Sequence, residues 1–196
     1  MSPGYLSQLL PGKDRPFTLV WNRGYFMIKR LLFFISIFIS GCVNIPENVS
    51  PVTGFDIGQY LGTWYEIARL DHSFERDLEK VTAEYSLRDD GGIKVVNKGL
   101  DPHKNRWKEV IGKAYFVGDS NFGSLKVSFW GPFYSSYNII ALDKKNYSYS
   151  MVCGPNKSYL WILAREPHIE ESLKVELINK AKDLGFETDK LIHVTH

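Results

Sequence analysis

The sequence predicts an all-β fold: an eight-stranded antiparallel up-and-down barrel with one C-terminal α-helix packed outside it and a short final strand. Three observations carry that expectation. Segments of strand character follow one another from Tyr60 to Arg165 with short turn signals between them, and no helical period interrupts them after the first loop. Gly62 stands two residues before Trp64 on the first strand, while Arg165 ends the last. After Pro167 the apolar spacing changes to three and four residues, the period of a helix. A closed barrel of eight strands has room either for filling side chains or for one small ligand.

The first strand runs from about Tyr60 to Leu70. Its glycine permits close backbone approach or an unusual φ. Trp64 can plug one end of a small barrel, and the planar Arg165 guanidinium can stack on that indole. Asp71 to Lys80 is charged and lacks alternation, so it reads as a loop. Val81, Ala83, Tyr85 and Leu87 alternate with polar residues, and Asp89-Asp90-Gly91-Gly92 is a hairpin turn signal. Further strands are Ile93 to Leu100, Trp107 to Val117, Ser124 to Trp130, Tyr134 to Asp143, Tyr147 to Cys153 and Tyr159 to Arg165. Each ends in Gly, Pro, Asn or Asp, or in a charged residue. Ile169, Leu173, Leu177, Ala181 and Leu184 then mark one face of a helix, with Glu170→Lys174 and Glu176→Lys180 pairs opposite and Gly185 as its stop. Leu191 to Thr195 reads as the short final strand.

The N-terminus is organised differently. Lys29-Arg30, the apolar run Leu31 to Ile39 and the small residues Ser40-Gly41 before Cys42 form a secretory signal peptide over residues 27–41. That run is too short for a membrane span of ~20 residues. Met27 is the expected start, and residues 1–26 read as upstream over-translation or a disordered leader. Residues 42–55, with Pro46 and Pro51, read as an extended tether, and residues 56–196 as the folded domain. The chain has 24 Lys+Arg against 22 Asp+Glu, which leaves no basic footprint for nucleic acid. Cys42 and Cys153 lie in contexts too different to suggest a disulfide framework.

Several ordered motifs together resemble the lipocalin family, and within it a bacterial lipoprotein subgroup. Gly62-Thr63-Trp64-Tyr65-Glu66-Ile67-Ala68 is similar to the family's first motif, and Tyr159-Leu160-Trp161-Ile162-Leu163-Ala164-Arg165 to the motif that holds its arginine. Leu78 to Leu87, Lys126-Val127-Ser128-Phe129, Gly131-Pro132-Phe133-Tyr134 and Val152-Cys153-Gly154-Pro155 resemble the bacterial subgroup. Ile39-Ser40-Gly41-Cys42 resembles a lipobox, in which the peptide is cut before a cysteine that then carries acyl chains. The resemblance implies storage or transport of a fatty acid or lysophospholipid for membrane maintenance. It also implies attachment to the outer membrane through Cys42, facing the periplasm, and a homodimer, since some members of the subgroup look dimeric. It carries over no catalytic residue, metal or cofactor, so the chain is expected not to be an enzyme; the alternatives are a structural envelope lipoprotein without a ligand, or an enzyme on the same barrel with Cys153 or Glu66 active.

Candidate chemistry is sparse. His193 and His196 are three apart in an extended tail, on opposite sides, which argues against a metal pair. Glu66 shares the Trp64 face and points inward if alternation holds. There it either joins an internal salt bridge or orients a polar ligand group. Cys153 has no matched base or cation beside it in sequence and reads as an inert thiol. Alternation assigns Ala68, Ala83, Tyr85, Val95, Leu125, Val127, Phe129, Tyr137, Ile139, Met151, Tyr159 and Trp161 to the ligand cavity, subject to the register of each strand.

Overall fold

Period-two segments linked by tight turns build one antiparallel sheet, described over residues 43–196 in a computed structural model of the chain. The proposed leader, signal peptide and Cys42 lie outside the described residues. The strands are β1 (Gly62–Arg69), β2 (Glu79–Leu87), β3 (Ile93–Asp101), β4 (Arg106–Phe116), β5 (Ser124–Trp130), β6 (Phe133–Leu142), β7 (Tyr149–Cys153), β8 (Leu160–Ala164) and β9 (Ile192–His193). Their order is β2-β3-β4-β5-β6-β7-β8-β1-β9, and an added β1–β2 pairing closes the first eight into a barrel. Neighbouring strands all run antiparallel, and from β1 to β8 each connects to the next by a loop at alternate ends, while residues 165–191 separate β8 from β9.

Two features differ from the expected elements. Tyr60 does not start β1; it ends a single helical turn, α1 (Ile57–Tyr60). Asp56 caps that turn by accepting from the Gly58 N–H at 2.8 Å, and Gly62 then enters the sheet at φ +91°, where only glycine sits without strain. The stretch 43–55 is extended, but it is held along the barrel. Val52 N–H donates to Ile139 O at 2.8 Å, Phe55 N–H to Asn121 O at 3.0 Å, and Ser136 Oγ to Asn44 O at 2.6 Å.

The barrel has a core on each side of its wall. Inside lie Phe55, Tyr60, Trp64, Ile93, Leu125, Ile139, Val152 and Leu163 with their neighbours. Outside, the helix α2 (Glu171–Asp183) buries Leu177 and Ala181 against Ile67, Ala68, Met151, Cys153, Leu160 and Ile162. Gly185 ends the helix at φ +82°, with the Phe186 N–H returning to Ala181 O at 3.1 Å. The helix therefore turns the outer face of β1, β7 and β8 into buried surface.

Candidate functional site

Closure at one end begins with α1 and Trp64. The Trp64 indole is fully buried, and its Nε1–H donates to Tyr60 O at 2.8 Å. Arg165 lies over the indole, its Cζ 4.0 Å from the ring centroid. The guanidinium also donates to Thr63 O at 2.8 Å, Gln59 O at 2.7 Å, Leu61 O at 2.9 Å and Tyr147 O at 3.3 Å. One cation thus satisfies carbonyls from the helical turn, the start of β1 and the β6–β7 loop. The charge is spread over four acceptors and one π face, which is the geometry that a planar guanidinium supports and an ammonium does not.

Above this plug the interior is open. The cavity has a volume of about 840 Å³ and opens between the β1–β2, β3–β4, β5–β6 and β7–β8 loops. Its wall includes Ala83, Tyr85, Val95, Leu125, Val127, Phe129, Tyr137, Tyr159 and Trp161 from the expected set. Three of that set lie elsewhere. Ile139 faces inward but is packed into the inner core rather than on the cavity wall. Ala68 and Met151 face outward under α2, not into the cavity as alternation had assigned them.

The reasons for the two outward residues are local. In β1 the pairing with β8 slips between Glu66 and Ala68, so Glu66 pairs with Leu163 but Ala68 pairs with Ile162. The bulge reverses the alternation after Ile67, turning Ala68 out and Arg69 in. In β7 nearly every residue is buried, because α2 covers one face and the barrel interior the other. A strand buried on both faces has no polar–apolar alternation from which to choose the inner set. Its inward residues are Ser150 and Val152, not Met151.

The cavity is apolar with two polar inserts. Towards the floor the Tyr60 and Tyr137 hydroxyls are 2.8 Å apart, Tyr85 and Tyr137 are 2.7 Å apart, and Tyr60 meets Ser150 Oγ at 3.2 Å. Burial pushes the Tyr60 phenol up to about 12 and raises Tyr85 and Tyr137 as well, so all three stay neutral hydrogen-bonding groups.

The second insert lies on the β1 side. Arg69 donates to Glu66 Oε1 at 2.7 Å and to Glu75 O at 2.7 Å, and Trp161 Nε1–H donates to Glu75 Oε2 at 3.0 Å. Glu66 therefore forms an internal salt bridge while also lining the cavity. The guanidinium pairs with the Glu66 carboxylate and only with the backbone of Glu75, whose own carboxylate accepts from Trp161, and burial raises both carboxyls above the usual range. The charge of Glu75 raises Glu66 further, while Arg69 opposes. His72 closes this flank by stacking on Tyr159 at 4.5 Å and Phe74 at 5.3 Å.

Sequence reasoning missed Arg69, because only the bulge turns it inward. It missed Glu75 because the β1–β2 loop showed no period. Trp107, Trp130 and Phe133 at the open end were also missed. Their signal was available: each lies within three residues of a turn, where a large aromatic has no strand core to fill. The thiol of Cys153 is buried beneath α2, outside the cavity, and burial pushes it up to about 12. A thiol in that state is a poor nucleophile at neutral pH. Among the described residues, no group of three or more His, Cys, Asp or Glu side chains is placed to hold a metal ion.

A barrel of this topology, plugged by Trp64 and Arg165 and hollow above them, defines a class, and sequence comparison agrees: a family model for a lipocalin-like domain matches residues 55–196, so the chain belongs to the lipocalin family. Among its relatives, it is 53% identical over 167 residues to the outer membrane lipoprotein Blc of Vibrio cholerae, covering 84% of this chain and 98% of that protein. It is 55% identical over 149 residues to outer membrane lipoprotein Blc of Escherichia coli K12, covering 76% and 84% of the two chains. Apolipoprotein D of Mus musculus is 34% identical over 148 residues, with 70% and 75% covered. Among solved structures, insecticyanin from the tobacco hornworm Manduca sexta superposes with a TM-score of 0.61 at 18% identity, over 78% of this chain and 87% of that one. At that identity the likeness speaks for the fold alone.

Proposed function

We propose that this protein is a lipid-binding lipocalin held on the outer membrane by acyl chains on Cys42, facing the periplasm, and that it stores or carries a fatty acid or lysophospholipid for membrane maintenance. The observation that carries this reading is the cavity of about 840 Å³, apolar along its wall, closed at one end and open at the other. That shape suits a single acyl chain, tail towards the Tyr60–Tyr85–Tyr137 floor and headgroup at the mouth. About 14 methylenes at ~0.8 kcal/mol each give ~11 kcal/mol of gross burial, of which losses on association take back a large part. Affinity between micromolar and nanomolar follows. The 53% identity to a protein named as an outer membrane lipoprotein supports the location, and the lipobox-like Ile39-Ser40-Gly41-Cys42 supports the anchor. A homodimer remains part of the proposal through the resemblance alone.

Binding is tested by titrating the protein with a lysophospholipid and with a fatty acid while following tryptophan emission. Trp161 on the cavity wall is the expected reporter. Native mass spectrometry of protein extracted from membranes tests whether a lipid is already bound. Saturable binding at one ligand per chain is the expected result. If neither ligand class bound saturably, the carrier reading would fail, and a structural envelope lipoprotein without ligand would replace it.

A further inference from the structure

The floor of the cavity is more polar than the end of an acyl chain requires. Tyr60, Tyr85 and Tyr137 sit directly on the plug. The Tyr60 ring lies 4.6 Å from Trp64 and 5.3 Å from Tyr85, and Tyr85 lies 6.1 Å from Tyr137. Phenylalanine at each position would fill the same space without taking a hydroxyl out of water. The three phenols and Ser150 Oγ instead form one chain in the order Ser150–Tyr60–Tyr137–Tyr85, with contacts of 3.2, 2.8 and 2.7 Å.

One hydrogen of that chain has no acceptor. Each of the four hydroxyls carries one, and the three contacts use three. Whichever way the chain is directed, one hydroxyl keeps a hydrogen that no group among the described residues accepts. Tyr60, Tyr85 and Tyr137 line the cavity, whereas Ser150 does not. Tyr85 ends the chain on the cavity side. An oxygen arriving from above accepts from Tyr85, with Ser150 donating to Tyr60, Tyr60 to Tyr137 and Tyr137 to Tyr85. Burial keeps all three phenols protonated at neutral pH, so the hydrogen is there to give.

A second group waits one step nearer the mouth. The inner face of β3 carries Ile93 and Val95 in the core and then Asn97 on the cavity wall. Val95 pairs with Tyr85 and Asn97 with Ala83, so Asn97 stands the next inward position up from the Tyr85 level, ~7 Å along the strand. Ala83 offers it only a methyl group. Asn97 Oδ1 is buried and has no hydrogen-bond partner among the described residues. A buried acceptor left in that state is costly and uncommon. The β2–β3 wall thus holds a spare donor and, above it, a spare acceptor. A ligand hydroxyl between them accepts from the first and donates to the second.

Charge decides what kind of oxygen fits. The cations of the cavity wall, Lys98, Arg106 and Lys108, lie on the mouth side of Asn97, and Lys98 and Lys108 are paired with Glu109 and Asp101. Arg165, over Trp64, has its nitrogens committed to backbone carbonyls. An oxyanion at the floor would therefore meet one spare hydrogen and no free counter-ion, which does not offset its desolvation. A neutral oxygen carries no such penalty.

We propose, on the basis of the carrier reading above, that Tyr85, Tyr137 and Asn97 form a polar subsite at the bottom of the cavity, and that it selects acyl chains bearing a neutral oxygen, a hydroxyl above all, near the end remote from the headgroup. The apolar wall holds the methylenes of any chain; the floor chooses among tails. A plain methyl end shuts the Tyr85 hydrogen and the Asn97 carbonyl away from water with nothing to bond, while a hydroxylated end satisfies both.

The experiment titrates the purified protein, by tryptophan emission, with ω-hydroxy fatty acids of twelve to eighteen carbons, each against the plain fatty acid of equal length. The 3-hydroxy isomers and the α,ω-diacids serve as controls. At the length that reaches the floor, the ω-hydroxy chain should bind about threefold to tenfold more tightly than the plain one. The 3-hydroxy isomer should show no such gain, and the diacid should bind about tenfold or more weakly than the ω-hydroxy chain. In the double variant Tyr85→Phe, Asn97→Leu the order should reverse, with the ω-hydroxy chain about tenfold weaker than the plain one. Both substitutions lie in the binding site and change affinity for every chain, so the reading is the ratio of two ligands on one variant, from which a general loss cancels. Melting followed by circular dichroism shows whether the variant is folded, and the wild-type order is decisive without it.

An ω-hydroxyl that weakens wild-type binding at every length would overturn the proposal. So would a preference that survives the double substitution in a folded variant, because the oxygen would then sit elsewhere. Diacids that bind as well as ω-hydroxy chains would overturn the neutral-oxygen assignment. Plain chains that bind saturably with no gain from the hydroxyl would overturn the subsite and leave the carrier reading standing; no saturable binding of any chain would end both.

Discussion

Replacing Arg165 by alanine tests how the closed end holds together. The guanidinium makes three bonds of 2.7–2.9 Å to the carbonyls of Gln59, Leu61 and Thr63, and one of 3.3 Å to Tyr147 O. Two of these are exposed and are worth a few tenths of a kcal/mol each; the partly buried ones are worth ~1 kcal/mol each. Stacking on Trp64 at 4.0 Å adds ~1 kcal/mol. Together these give a loss of ~3 kcal/mol, which for a domain of this size lowers the melting temperature by roughly 6–12 °C. Trp64→Ala should cost more, about 3–5 kcal/mol, because it also leaves a cavity. Arg165→Lys should recover less than half of the loss, since an ammonium cannot reach several carbonyls while lying flat on an indole. Urea unfolding followed by far-UV circular dichroism measures all three. A loss under ~1 kcal/mol for Arg165→Ala, or full recovery by lysine, would refute the account of one planar cation clamping three segments.

Other perturbations address the cavity, its charge and the anchor. Ala83 lies opposite Trp64 in the β1–β2 pairing and on the cavity wall, so Ala83→Trp should fill the lower cavity and displace about four methylenes of tail, weakening long-chain binding by ~100-fold while the barrel stays folded; an unchanged dissociation constant would place the tail elsewhere. Burial raises Glu66, with Glu75 adding to it and Arg69 opposing, so the folded protein keeps a proton that the unfolded chain has released. Its contribution to stability therefore falls as pH climbs above ~4.3 towards the raised folded value. Glu66→Gln, neutral throughout, should gain stability relative to the parent between about pH 5 and pH 8, and parallel pH profiles would count against the raised carboxylate. Cys42→Ser should abolish acylation and processing, read by metabolic labelling with palmitate and by membrane fractionation; normal processing of that variant would remove Cys42 as the anchor.

What the sequence determined by itself is the architecture. Turn chemistry such as Asp89-Asp90-Gly91-Gly92 and the alternation of Val81, Ala83 and Tyr85 act between near neighbours, so strands β2 to β5 and their inward faces can be read from them. The helix Glu171–Asp183 is legible for the same reason, as its apolar stripe and its Gly185 stop are local. The tertiary structure decided what depends on two distant segments at once. The slip between Glu66 and Ala68 exists only in the pairing of β1 with β8, nearly 100 residues away in the chain. That slip sends Ala68 under the helix and brings Arg69 inward to Glu66. Met151 could not be placed from β7 alone, because α2 buries its outer face and so removes the polar alternation that would have revealed it. The joining of Glu75 to Trp161, and the gathering of Phe74, Trp107, Trp130 and Phe133 around one mouth, likewise follow from closure of the barrel. Periodicity reports which face a residue shares with its neighbours; only the closed sheet says which face is inside.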